Sequence, residues 1–546
     1  MGTTPSHHAT DDHNDTSAGP VSRPSPLAAG SSRRREDWTV KTVSLLLVSL
    51  VIILTVAHGD TAASVISSFR TAVTSNFTWY FVVLATLALL FCVYMATGRR
   101  GAIVLGGRGA RPEYGRFAWY SMLFACGQGI GLIFWSVAEP LLLRSDNPLS
   151  DVVGTDDTDG ALIWTYFHWA VHGWAIYCVV ALCLALSFHN RGSFMTFRDA
   201  VTDMFPERVR GVVGVVVETT VILATVFGLS TSFAFAAMQL SSGIGQTFGG
   251  VPGPAVRTVV IGVIGLLAAL SVYLGVEKGM RRVSEVNSVL SIVLMAGVLV
   301  AGPTVYLLSV LPQTTGQYLW SMWWMGTWTD AASAATALES WDSSWNGTWT
   351  VFIWCWSWAF STFVGSFIAR ISRGRSLREF VVGVLGIPSL VCVVWIGLLG
   401  GAALYYDDAG QGAVSRATQQ DTSLGLFVML GEIPYRPVAL ALLLIATILV
   451  GTYYLTSLDS GIHALSGFVS SAAQPSRLFR VALVAGIAGI AFLLLTIGGE
   501  TVVGTVQTGT IIGALPYTVV TLLMMANTFR HVSRETRAGQ ELGVEI

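Results

Sequence analysis

The sequence predicts an all-α polytopic membrane protein with about twelve transmembrane helices, on three observations. Of its 546 residues 53% are hydrophobic and only 12% charged, with a mean hydropathy of +0.63, more apolar than a water-soluble core of this size requires. Apolar runs of roughly 17 to 25 residues, each long enough to cross a bilayer as a helix, recur along the chain. Lys and Arg cluster in alternate loops, as they do on the cytoplasmic side of membrane proteins.

Residues 1–38 are rich in Ser, Thr, His, Asp, Pro and Gly and bury too little apolar surface to offset the entropy of ordering. They are expected to form a disordered cytoplasmic tail, without the apolar core and cleavage site of a signal peptide. The spans then centre on 43–57, 79–96, 117–142, 161–187, 212–240, 256–275, 286–311, 349–370, 379–404, 437–458, 480–497 and 502–526. Basic clusters fall at 33–35, 99–116, 191–210, 278–282, 370–378, 477–480 and 530–537, whereas 312–348 holds no Lys or Arg. Both termini are therefore expected in the cytoplasm, with residues 312–346 an external amphipathic loop and 530–546 a short cytoplasmic tail. Net charge is −1, and nothing points to a nucleic-acid partner. The six cysteines all lie in apolar spans, against a disulfide framework; Cys126 reads as a small buried side chain or as lining a site.

The third span carries FACGQGIGLIFWSVAEP at 124–140. Each glycine in a helix costs about 1 kcal/mol relative to alanine, so Gly127, Gly129 and Gly131 around Gln128 mark a break, or else a tight helix contact. Five spans over 116–311 and five over 347–529 form two similar sets, and the second opener also carries a soft spot, FSTFVGSF, with Gly365. Secondary transporters built from inverted repeats interrupt such helices at the midplane, where freed backbone holds ions and substrate.

Aromatic residues supply a second signal. On a continuous helix Trp169, Trp174 and Tyr177 fall within roughly 140°, so three faces would look into one space. A quaternary ammonium among such faces gains about 0.5 to 2 kcal/mol per ring; an interfacial belt is the structural alternative. In WTVFIWCWSWAFSTFVG at 349–365, Trp356, Phe360 and Phe363 share one face, with Trp354 and Trp358 on the other. LWSMWWMGTW at 319–328 reads as a belt or surface helix.

Intramembrane polar groups complete the candidates. Thr456 and Ser457 in GTYYLTSLDSG offer hydroxyls for a sodium shell beside the broken third span, or bond their own helix. Glu218 is a proton carrier or a partner for Arg208 and Arg210. His168 and His172 have the spacing of a metal pair without a third ligand, and are expected to be hydrogen-bonded buried histidines rather than a transition-metal site. No phosphate loop, zinc-protease helix or nucleophile elbow is in a supporting context, so no catalytic residue is assigned and an enzyme is not expected.

GQGIGLIFWSVAEP, HWAVHGWAIY, GVEKGMRRVSEVN at 275–287, FVGSFIARISRGRSLREF at 363–380 and LTSLDSG at 455–461, in this order, resemble the betaine/choline/carnitine transporter family over nearly the whole chain after residue 38. The resemblance implies a leucine-transporter-like fold of two inverted five-helix repeats, preceded by two extra helices in 39–115, and a homotrimer in the plasma membrane. It implies an aromatic substrate box of Trp169, Trp174, Tyr177, Trp356 and Phe360, with Ser357 and the Gly127, Gln128 and Gly129 stretch beside it. For sodium it implies Ala125, Gln128, Tyr453, Thr456 and Ser457 at one site, with Thr225 and Phe363 at a second. The chain departs from the family with Gln128 for Met, Ser357 and Phe360 for Trp, Leu229 for a threonine and Gly131 where some members have a proton-coupling aspartate.

The expected function is uptake of a quaternary-ammonium osmolyte such as glycine betaine, choline or carnitine by sodium symport, with no cofactor besides the coupling ion. Each monovalent cation moved inward contributes about 2.3 kcal/mol per 100 mV, which a neutral zwitterion cannot obtain alone. Ion-independent exchange, a sulfonium, sulfonate or cyclic substrate, and a non-concentrating sensor or channel are the alternatives.

Overall fold

A computed structural model of the protein describes residues 38–57, 59–127, 129–249, 254–274, 277–331, 345–469, 476–497 and 502–541. Gln128, the Cys126 side chain and nearly all of the expected N-terminal tail lie outside the described residues, as does 332–344 of the expected external loop. The described part is almost wholly helical and contains no strand, only an isolated bridge between Val104 and Ser376. In chain order the helices are α1 (Trp38–Ala57), α2 (Gly59–Ala96), α3 (Arg116–Gly127), α4 (Ile130–Leu143), α5 (Pro148–Val153), α6 (Asp157–Trp169), α7 (Val171–Ala185), α8 (Phe197–Val201), α9 (Glu207–Phe248) and α10 (Pro254–Leu274). There follow α11 (Glu277–Ala301), α12 (Thr304–Met325), α13 (Trp345–Thr348), α14 (Thr350–Ile371), α15 (Leu377–Ala409), α16 (Ala413–Gln420), α17 (Gly425–Gly431), α18 (Arg436–Val469), α19 (Arg477–Ile497) and α20 (Val502–Glu541).

Ten described helices are long and apolar enough to cross a membrane, eleven when the bent pair α3–α4 counts as one span. The 20-residue α1 occupies the place of the first expected span. Three expectations change. The fourth span breaks at Ala170, whereas the FSTFVGSF soft spot is unbroken helix within α14. There Gly365 is a packing residue, since a β-carbon on it would lie 2.8 Å from Cγ1 of Val180. The seventh span ends at Ala301, and α12 then runs through much of the expected external loop, burying Tyr318, Met322 and Met325.

Burial follows the sequence pattern. The 42-residue α9 takes neighbours on all sides, chiefly α18, α20, α19 and α14, and α14 packs most extensively on α7. By contrast α10 and α11 leave Val259, Leu266, Leu270, Val289, Ile292 and Val300 exposed. Such a continuous apolar face is stable only against lipid or another protein.

Several expected cytoplasmic loops meet on one side of the bundle. Leu105 N donates to Arg375 O at 2.9 Å and Gly374 N to Leu105 O at 2.8 Å, and Arg116 pairs with Glu379 at 3.0 Å. Asn190 bridges in from the third such loop, with Nδ2 donating to Val104 O at 3.0 Å. Asp203 pairs with Arg191 at 2.9 Å and with His531 of α20 at 2.7 Å. Ser376 caps α15 by accepting from Glu379 N, a Ser-x-x-Glu start that also places Glu379 to hold Arg375 at 2.8 Å. Arg210 donates to the carbonyls of Phe205 and Asp203.

Candidate functional site

The two broken spans face each other. The axis turns by 60° between Arg116–Ala125 and Ile130–Leu143, with Gly129 extended at φ −164° and no atom within 4 Å of its absent side chain. Gly131 has a different task. A β-carbon there would meet Cη2 of Trp169 at 2.9 Å and Cη2 of Trp356 at 3.2 Å, so the bare backbone lets both indoles close over the start of α4.

Ala170, at φ −92° and ψ −118°, ends α6 directly after Trp169. The break frees the Val171 N–H, which donates to the Tyr318 hydroxyl of α12 at 3.1 Å, a necessary repair where no water competes. It also redirects the expected three-faced arc. Trp169 turns to α14, its ring perpendicular to Trp356 at 6.0 Å, and Trp356 is in turn perpendicular to Phe360 at 6.1 Å. Trp174 instead pairs with Tyr177 at 5.0 Å. A helix drawn as continuous through 170 puts all three rings in one arc; with the altered dihedral at Ala170, Trp169 pairs with Trp356 while Trp174 pairs with Tyr177.

Each indole has a polar anchor. Trp356 Nε1 donates to Ser232 Oγ of α9 at 3.0 Å, and Trp169 Nε1 donates to Glu139 Oε2 at 2.7 Å. Glu139 is fully buried, and its other oxygen lies 2.5 Å from His168 Nδ1. This carboxylate stands in the quoted SVAEP and was not singled out from sequence, although an acidic residue inside an apolar run is a functional signal by default. Trp169, Tyr177 and Phe360 are half-buried, so part of each ring is accessible, whereas Trp174 and Trp356 are buried. Ser357 is buried and returns its hydroxyl to Ile353 O at 3.1 Å.

The histidines divide. His168 is hydrogen-bonded as expected, to Glu139 and, through Nε2, to Thr350 Oγ1 at 3.0 Å. His172 is not: neither ring nitrogen has a hydrogen-bond partner, and the imidazole stacks on Trp354 at 6.0 Å. It behaves as an aromatic core residue. Among the described residues no group of three His, Cys, Asp or Glu side chains is placed to hold a metal.

Of the sodium candidates, Thr225 Oγ1 lies 2.8 Å from Thr362 Oγ1, joining α9 to α14 beside Phe363. Thr362 was missed from sequence, since a single threonine in an apolar helix carries no signal of its partner. Thr456 Oγ1 bonds Thr452 O and Tyr453 O within α18. The Tyr453 hydroxyl contacts Ser291 Oγ of α11. Ala125 is exposed on α3, in the last turns before the break.

Residues 39–537 match a family described as BCCT, betaine/carnitine/choline family transporter. A glycine betaine transporter of Acinetobacter baylyi (strain ATCC 33305 / BD413 / ADP1) is 33% identical over 517 residues, covering 92% of this chain and 74% of that protein. Glycine betaine transporter 1 of Vibrio parahaemolyticus is 34% identical over 498 residues, covering 90% and 92%. An ectoine/hydroxyectoine transporter of Virgibacillus pantothenticus is 29% identical over 509 residues, covering 91% and 97%.

Proposed function

We propose, for a chain that belongs to the betaine/carnitine/choline family of transporters, uptake of a quaternary-ammonium osmolyte of the glycine betaine type by sodium symport with alternating access. As a member of that family it is a transporter and not an enzyme. The observation that carries the substrate class is the ring corner of Trp169, Trp356 and Phe360 over the bare Gly131 backbone. A diffuse, non-hydrogen-bonding cation is held by such faces through cation–π attraction, while a compact ammonium would need its three protons matched. Trp174 and Tyr177 of α7 supply the remaining faces, and Ser357 and the Gly127–Gly129 stretch adjoin the substrate.

Sodium is assigned to two places: Ala125, Gln128, Tyr453, Thr456 and Ser457 around the bend of the third span, and Thr225 with Phe363. The hydroxyl pair Thr225–Thr362 supports the second. Two inverted five-helix repeats, a homotrimer in the plasma membrane and cytoplasmic termini complete the reading, the last supported by the basic loops gathered on one side of the bundle.

A cyclic zwitterion such as ectoine is the second reading, favoured by Phe360 and Ser357 in place of larger rings and by the named substrate of the Virgibacillus relative. Purified protein in liposomes, given labelled glycine betaine with and without an inward sodium gradient, tests the proposal. Accumulation only with the gradient is expected. Counterflow from preloaded vesicles without sodium would replace symport by exchange, and uptake of ectoine but not betaine would replace the substrate.

A further inference from the structure

Glu139 is a fully buried carboxylate that bridges two consecutive residues, His168 and Trp169, at the end of α6. The hydrogen-bond chain beyond it fixes where protons lie. Asn346 Nδ2 donates to Trp328 O at 3.0 Å, so the amide oxygen faces Thr350 and accepts its hydroxyl proton at 2.7 Å. Thr350 Oγ1 has then no proton left for His168, and the 3.0 Å contact requires a proton on His168 Nε2. One further proton lies between His168 Nδ1 and Glu139 Oε1. Whichever atom holds it, the pair carries no net charge, which makes its burial tolerable, and Oε2 stays an acceptor for the Trp169 indole.

We propose that Glu139 is a positioning and specificity-determining residue that acts through Trp169. Its carboxylate fixes the plane of the indole against Gly131 and Trp356. With the shared proton on His168 Nδ1, Oε2 belongs to a carboxylate and accepts the Nε1 proton in a charge-assisted bond, which also enriches the ring face in electron density. The enriched face favours a positively charged head group over a neutral one of the same shape. His168, held by Thr350 and Asn346, keeps the carboxylate in place. This rests on the aromatic box proposed above, of which Trp169 is part.

The test uses the full-length protein in detergent, with labelled glycine betaine displaced either by unlabelled betaine or by 3,3-dimethylbutyrate, in which carbon replaces the charged nitrogen. Glu139→Gln retains every hydrogen bond, because the amide oxygen accepts from Trp169 and the amide nitrogen donates to a neutral His168. Trp169→Phe keeps a ring and removes the donor. Wild type is expected to prefer betaine, and each variant to reduce that preference by about fivefold, within the range of one cation–π contact. The double variant is expected to lose no more than Trp169→Phe alone, because both changes remove one interaction. An unchanged preference in Glu139→Gln, or losses that multiply in the double variant, would overturn the role of Glu139 and leave the box standing. Absence of any preference in wild type would overturn both. If Glu139→Gln does not accumulate in membranes, Glu139→Asp decides, because its shorter side chain withdraws the carboxylate from the indole while Trp169 is kept: a reduced preference supports the role and an unchanged one overturns it.

Discussion

Gly131 lies directly against the Trp169 indole, with room for no further atom between them: a β-carbon would sit 2.9 Å from Cη2 and 3.1 Å from Cζ3 of the ring. Gly131→Ala therefore has to displace Trp169, Trp356 or both, an overpacking cost of about 1 to 3 kcal/mol. The displaced rings are those assigned to the substrate. Affinity for glycine betaine is expected to fall about tenfold, with a modest drop in Tm from the overpacking. Unchanged affinity in a binding titration would show that the corner is not the substrate site.

Much of this arrangement was legible in the sequence, for identifiable reasons. Span length and the spacing of basic loops depend on local composition, and the glycine-marked break near 128 depends on helix propensity. The break at Ala170 was not legible, because alanine is the best helix former and the dihedral is set by tertiary contacts, including Tyr318 far along the chain. Glu139 was passed over because its partners, His168 and Trp169, lie 29 and 30 residues away. Gly365 misled for the opposite reason: small residues mark both broken helices and closely packed ones, and the Val180 contact decides between them.

The two ring pairs, Trp169 with Trp356 and Trp174 with Tyr177, give a prediction about the extent of the site. If both ring pairs hold one substrate, Trp169→Ala and Trp174→Ala should each weaken binding by more than about tenfold, in the upper part of the range for one cation–π contact. Trp174→Ala retaining near wild-type affinity in a titration would restrict the box to Trp169, Trp356 and Phe360.

The coupling ion is tested by hydroxyl removal at the two proposed places. Thr225→Val with Thr362→Val deletes the α9–α14 oxygen pair while keeping side-chain shape, and Thr456→Ala with Ser457→Ala deletes the α18 pair. Sodium binds through oxygen ligands, so each double change is expected to raise the sodium concentration for half-maximal uptake about tenfold, equivalent to 1.4 kcal/mol. A sodium dependence unmoved by one pair removes that pair from the ion shell.

Tyr318 offers a test of the break at Ala170 that does not depend on the transported solute. Its hydroxyl accepts the Val171 N–H at 3.1 Å and is buried, with the ring held against Tyr166 at 5.9 Å. Tyr318→Phe keeps that ring contact and strands one buried donor, at a cost of about 1 to 3 kcal/mol. A lower Tm is therefore expected. Straightening the helix cannot recover the bond cheaply, because the Ala170 dihedral also sets the direction of Trp169 and Trp174. If the break serves substrate binding, betaine should protect Tyr318→Phe against thermal unfolding less than it protects wild type. An unaltered Tm would mean that the Val171 N–H finds another acceptor, and the hydroxyl would then not be what sustains the break.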